Sequence, residues 1–276
     1  MRKGDLERRV LRKLFSAKKT IYHFFKPYGR KKDIAFIIGC QRSGTTMIYD
    51  IFTKDLNTQT YGEFSKLSSL DKNKIRLNPL DLVKKEIEKI RPSFVILKPL
   101  VESQNILNLL KNFNGSKAIW MYRNYQDVAS SNLKKFGIKN GIKDLRYIVE
   151  NDPKDWRADK VSKDVRGTIL KYFSEDMNPY DAAVLFWYAR NSIYFELNLD
   201  QNPDVILCKY EDLVMHPEKV VKSIYKRLNQ NIPDSTIYQD VDSTSLKKGK
   251  NIDLSPEIDK LANNLLNKLD DVYQKN

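Results

Sequence analysis

The stretch IIGCQRSGTTMIYDIF, residues 37–52, begins as an apolar strand, breaks at Gly39 into a short polar turn, and resumes near Gly44 as an amphipathic helix. The same alternation recurs along the chain. DIAFIIG (33–39), TQTYGE (58–63), SFVILK (93–98), KAIWMYR (117–123) and DVILCKY (204–210) are short runs rich in Ile, Val, Phe and Tyr. Four of them are apolar enough to be strands buried on both faces. Helical patterns fall between and after them, near 44–56, 80–90, 102–113, 125–136, 181–199, 217–229 and 256–273. Strands alternating with helices predict a parallel sheet covered on both sides, an α/β architecture in three layers. The charged stretch 137–178, which holds NDPKDWRADK, breaks the alternation and is expected to form a helical insertion over one end of the sheet.

Composition narrows the chemistry. A chain of 276 residues, 41% hydrophobic, can bury one large core. The expected organisation is a basic amphipathic segment at 1–32 followed by one domain at 33–276. Cys40 and Cys208 are too few for a disulfide framework or a zinc cluster, and His23 and His216 are too few for a histidine-rich metal site. The cysteine usage and the lack of a secretory signal predict a cytoplasmic protein. Forty-nine Lys and Arg against 35 Asp and Glu give a formal charge of +14, which favours an anionic ligand or surface. In residues 1–32 the basic side chains are interleaved with Leu6, Val10, Leu11, Leu14, Phe15, Ile21, Phe24 and Phe25. Such a segment either packs on the core or is drawn to an anionic membrane face, here the inner face.

Ligands of a parallel α/β sheet sit where strands run out into helices. After the first strand, Gly39, four residues, Gly44, Thr45 and Thr46 have the spacing of a nucleotide-phosphate loop, but Thr45 stands where an NTP-binding loop carries its lysine. The fold expected is therefore P-loop-like. Backbone N–H groups of Gln41, Arg42, Ser43, Gly44, Thr45 and Thr46, with the helix dipole, make an anion cradle. Glu63 follows the second strand, Lys98 the third, and Arg123 the fourth, with Ser131 further along the next helix. Each alone reads as a solvated charge; together they describe one pocket for two anionic groups beside a carboxylate and further cations. Trp187 and Tyr188, in AAVLFWYARNSIYFELN (182–198), read as core.

GCQRSGTTMIYDIF resembles the 5′-phosphosulfate loop, and MYRNYQDVASSNLKKFG (121–137) the 3′-phosphate motif, of the sulfotransferases that use 3′-phosphoadenosine 5′-phosphosulfate (PAPS). LCKYEDLVMHPEKVVKSIYKRLN (207–229) is similar to the tyrosine-bearing strand and helix of the same family, and LKKGK (246–250) to its basic C-terminal loop. The resemblance runs from residue 34 to about 250, the middle insertion excepted. It implies that residues 41–46 hold the 5′-phosphosulfate, that Arg123 and Ser131 hold the 3′-phosphate, and that Tyr210, Lys248 and Gly249 lie close to it. PAPS has no triphosphate, so neither the loop lysine nor a metal is needed, and the product is adenosine 3′,5′-bisphosphate.

Arg42 takes a position that is lysine in the cytosolic small-phenol enzymes and often arginine in Golgi, tyrosylprotein and bacterial members. YGEF (61–64) resembles the catalytic glutamate segment of tyrosylprotein and several bacterial members, and VILKP (95–99) a lysine directed at the transferring group. The resemblance thus implies Glu63 as general base and Arg42 and Lys98 as stabilisers of the transition state. His23 and His216 are not placed to serve as base. The acceptor expected is a saccharide or glycoconjugate hydroxyl, with no nucleic acid as partner. A P-loop small-molecule kinase and a noncatalytic nucleotide or glycan binder are the competing readings; the first lacks its loop lysine, and the second would not need Glu63.

Overall fold

The computed structural model describes residues 14–15, 17–25, 31–244, 246, 249 and 252–275. Five strands form one sheet: β1 (Asp33–Gly39), β2 (Thr58–Tyr61), β3 (Phe94–Leu97), β4 (Lys117–Tyr122) and β5 (Val205–Lys209). They lie in the order β2-β3-β1-β4-β5, and every pairing is parallel. The chain winds from β1 outward to one edge and back, then to the other edge. The switch point of the topology is therefore the carboxyl end of β1.

Period-two alternation along each strand builds two cores. Phe36, Ile38, Val95, Leu97, Trp120, Tyr122 and Leu207 point to one face, and Ala35, Ile37, Phe94, Ile96, Ile119, Met121 and Ile206 to the other. The second face is covered by α1 (Thr45–Lys54), α8 (Tyr210–Met215) and α9 (Pro217–Arg227) through Ile48, Ile51, Phe52, Leu213, Val221 and Ile224. The first face is covered by α2 (Leu80–Glu88), α3 (Ile106–Asn112), α4 (Tyr125–Phe136), α5 (Asn140–Glu150), α6 (Lys163–Tyr172), α7 (Pro179–Glu196) and α10 (Pro256–Lys275). The result is the three-layer α/β arrangement read from the strand–helix alternation.

Two local features hold the strand ends in place. Helix α7 is buried nearly all round, with Trp187 and Tyr194 fully enclosed, as expected of a helix apolar on every face. The helical pattern at 102–113 starts differently from its periodicity: Leu100–Asn105 is a 3-10 turn that gives way to α3 at Ile106. Pro99 precedes it, and Ser103 Oγ inside the turn accepts from Gly39 N–H at 3.1 Å and donates to Leu100 O at 2.9 Å. That hydroxyl ties the end of β1 to the turn after β3.

Candidate active site

The loop between β1 and α1 is shaped by left-handed backbone. Gly39 has φ 124°, Arg42 φ 66° and Gly44 φ 88°. A Cβ on Gly39 would lie 2.3 Å from Met121 O on the neighbouring strand, and one on Gly44 would lie 2.2 Å from the Tyr210 ring. Both positions require glycine on conformation and on space. Gly44 is the N-cap of α1 and supplies no side-chain cap, so the first N–H groups of the helix face the loop's concavity. Left-handed residues before an uncapped helix start make a cradle of N–H groups of the kind that binds anions. Cys40, inside the loop, is fully buried, and burial pushes its thiol up to about 12, which removes it as a nucleophile near neutral pH.

On one side of the loop stand the groups expected to do chemistry. Lys98 is next in the chain after β3, which lies beside β1, so its side chain reaches across to the loop. Its ammonium is 3.2 Å from Thr46 Oγ1 and 3.3 Å from Glu63 Oε2, and packs 5.7 Å from the centre of the Tyr49 ring. Lys98 is buried and Glu63 retains partial exposure. A carboxylate, a cation and a loop hydroxyl are thereby joined at the mouth of the cradle. Tyr49 is not legible from sequence as part of this group, although its place one turn beyond Thr45 and Thr46 on α1 puts it on the same face.

On the other side lies a basic pocket. The Arg123 guanidinium, at the end of β4, is buried, stacks 4.3 Å from the Tyr210 ring centre and donates to Asp127 Oδ2 at 3.1 Å. Its backbone carbonyl accepts from Trp187 Nε1 at 3.0 Å, which fixes the strand end against α7. Tyr210 thus lies between Arg123 and Gly44. Arg42 turns toward this side, its Nε donating to Ser131 Oγ at 3.0 Å. The two residues expected at separate phosphates therefore meet across the cleft.

Asn124 caps α4 by accepting from Gln126 N–H and Asp127 N–H, while its own N–H donates to Glu211 Oε1 at 3.0 Å. Burial raises the Glu211 carboxyl above its ordinary value. Gly249 packs against the start of α4 and donates its N–H to Asp127 Oδ1 at 2.8 Å. Lys248 lies outside the described residues. Sequence reasoning missed Asp127, Asn124 and Glu211. An asparagine followed three residues later by an aspartate at a helix start was the available signal for the first two.

His23 and His216 stand apart from this cleft: His23 Nε2 is 2.6 Å from Leu56 O, and His216 joins α8 to α9. Among the described residues no group of three or more His, Cys, Asp and Glu side chains is arranged to hold a metal ion. What the arrangement offers is an anion cradle, a second buried cation pocket and a carboxylate–lysine pair between β2 and β3.

The family model described as the sulfotransferase domain matches residues 32–268. The chain belongs to the sulfotransferase family. Sulfotransferases of this family use PAPS as donor, and the chain is a PAPS-dependent enzyme. Its fold is similar to the sulfotransferase domain from the curacin biosynthetic pathway, at 17% identity and a TM-score of 0.55 over 86% of this chain and 99% of that one. A mouse sulfotransferase crystallised with PAP aligns at 15% identity and a TM-score of 0.46, over 88% of this chain and 85% of that one. A sulfotransferase from Alicyclobacillus acidocaldarius aligns at 12% and 0.47, over 90% and 96%. No curated protein sequence shows significant similarity to the chain. The donor set fits the sulfotransferase cofactor: an uncapped helix start with left-handed loop residues for one anionic group, and a buried arginine stacked on tyrosine for another.

Proposed function

We propose that this sulfotransferase transfers the sulfuryl group to a saccharide or glycoconjugate hydroxyl, with Glu63 as general base. The observation that carries the reading is the contact of Glu63 with Lys98 and of Lys98 with Thr46 at the mouth of the phosphate loop. PAPS, when bound, supplies the sulfuryl electrophile and leaves as adenosine 3′,5′-bisphosphate. Residues 41–46 hold the 5′-phosphosulfate end through backbone N–H groups and the Thr45 and Thr46 hydroxyls. Arg123 and Ser131 hold the 3′-phosphate, with Tyr210 keeping the guanidinium in place and Gly249 closing the pocket from above α4. Glu63 takes the acceptor proton as the new bond forms. Lys98 and Arg42 stabilise negative charge that grows on the leaving side, an interaction worth more in the transition state than in the ground state.

The choice of a saccharide rests on the chain's formal charge of +14 and on the placement of His23 and His216 away from the cleft. The test is transfer from radiolabelled PAPS to a panel of saccharides, peptides, phenols and lipids, by wild type and by Glu63→Gln. Saccharides should be labelled, and the variant, which keeps the shape but cannot accept a proton, should lose about 10²- to 10⁴-fold in turnover with nucleotide affinity nearly unchanged. Near-normal turnover of Glu63→Gln would make Glu63 a solvated loop residue, and exclusive labelling of phenols or peptides would overturn the saccharide assignment.

A further inference from the structure

Residues 17–24 are helical, and the helix is mounted with its polar side toward the protein. Lys19 is buried, its Nζ donating to Phe52 O at 3.2 Å and to Thr58 Oγ1 at 3.0 Å. Tyr22 OH donates to Asn57 Oδ1 at 2.9 Å, and His23 Nε2 is paired with Leu56 O. These contacts satisfy carbonyls at and beyond the carboxyl end of α1. The opposite stripe, at the spacing of one helical face, is Leu14, Ala17, Lys18, Ile21, Phe24 and Phe25. Its large apolar members are exposed: Leu14 61%, Ile21 65%, Phe24 67% and Phe25 79%. A helix that serves only to pack on a domain turns its apolar stripe inward; this one does the reverse.

We propose that this outward face is a docking surface for an anionic lipid bilayer. Charge complementarity selects the occupant. Residues 1–32 contain twelve Lys and Arg against Asp5 and Glu7, so they carry a formal +10 of the chain's +14. Lys18, within the stripe, and Lys31, beyond it in sequence, are exposed. Apolar side chains set among basic ones are the pattern of an interfacial helix, in which shallow burial and attraction to anionic headgroups act together. A second copy of the chain would bring another +10 against the first, which opposes self-association through this face.

The docked helix meets α1 at its carboxyl end, whereas the phosphate loop lies at the amino end, about 15 Å away along a ten-residue helix. The reactive cleft then lies about one helix length from the docked face. This inference is independent of the identity of the acceptor and of the role of Glu63.

The test is co-sedimentation of the full chain with vesicles of phosphatidylglycerol and phosphatidylcholine, and with vesicles of phosphatidylcholine alone. Ile21→Ser with Phe25→Ser removes apolar surface at constant charge and touches no inward contact. Wild type should bind the anionic vesicles and release them as salt is raised, and the double variant should bind about tenfold or more weakly. Its circular dichroism and its affinity for adenosine 3′,5′-bisphosphate should match wild type. No binding to anionic vesicles, equal binding by the variant, or a vesicle-free dimer in sedimentation that the variant abolishes would each overturn the proposal, the last in favour of a second copy.

Discussion

Gly249→Ala is the perturbation that separates a pocket-closing role for the C-terminal loop from a merely structural one. A Cβ at this position would stand 2.3 Å from Gln126 C and O and 2.7 Å from Asp127 N. These are backbone atoms at the start of α4 and cannot yield, so the loop must lift. Lifting breaks the 2.8 Å hydrogen bond from Gly249 N–H to Asp127 Oδ1. The other oxygen of that carboxylate is the partner of Arg123, at 3.1 Å. Once the loop is gone, Asp127 keeps its negative charge beside the arginine but loses a donor that offsets it, and an incoming phosphate is repelled. A hydrogen bond to a charged group contributes about 1.5–3 kcal/mol, which corresponds to roughly 10- to 150-fold in affinity. Calorimetry should therefore show adenosine 3′,5′-bisphosphate binding at least about tenfold more weakly to Gly249→Ala, while AMP, which lacks the 3′-phosphate, binds nearly as to wild type. Equal weakening of both nucleotides, or of neither, would refute the argument and leave Gly249 a packing residue.

Two further outcomes are expected at other places in the molecule. Lys98→Met keeps the length of the side chain and removes the charge between Glu63 and Thr46; kcat should fall about 10²- to 10³-fold, as when one donor to a developing negative charge is lost, with little change in nucleotide affinity. A rise in KM alone would reassign Lys98 to ground-state binding. Burial lowers the Lys19 amine to about 7 from its ordinary 10.5, so between those values the unfolded chain binds the extra proton and stability rises with pH. Measured by denaturant unfolding against Lys19→Met, the wild-type protein should gain stability from pH 7 toward pH 10 and show no such gain below pH 6. A difference independent of pH would mean that the amine is not desolvated.

Much of the fold was readable because buried parallel strands leave a strong mark. DIAFIIG, SFVILK, KAIWMYR and DVILCKY became β1, β3, β4 and β5 within a residue or two, since each faces apolar layers on both sides. TQTYGE was less well bounded: pairing ends at Tyr61, and Gly62 and Glu63 belong to the loop that delivers the carboxylate. The helical pattern at 102–113 was misread at its start because Ser103 binds backbone locally and holds a tighter turn. Candidate site residues were legible one strand end at a time. Their pairings were not, because Arg42 with Ser131 and Gly249 with Asp127 are contacts across 89 and 122 residues of chain. No periodicity encodes which of two cations turns to which side of a cleft.

The lysine missing from the phosphate loop has a physical counterpart one strand away. In an NTP-binding loop the cation sits on the helix start and follows the phosphates. Here Thr45 and Thr46 occupy that start, and the topology β2-β3-β1 sets the end of β3 directly beside it, so that Lys98 reaches Thr46 Oγ1 from outside the loop. A cation on the neighbouring strand is held by a different set of neighbours: it is buried against Tyr49 and paired with Glu63, which comes from the end of β2 on the far side of β3. The charge is thereby coupled to a carboxylate, which the loop position could not arrange. For a reaction in which a proton leaves the acceptor while negative charge grows on the leaving phosphate, a cation that touches both the proposed base and the loop hydroxyl would lie between the two charges that change. That coupling is what the exchange of Walker lysine for threonine makes room for, and it needs only three adjacent parallel strands whose ends carry Glu63, Lys98 and the Gly39–Thr46 turn.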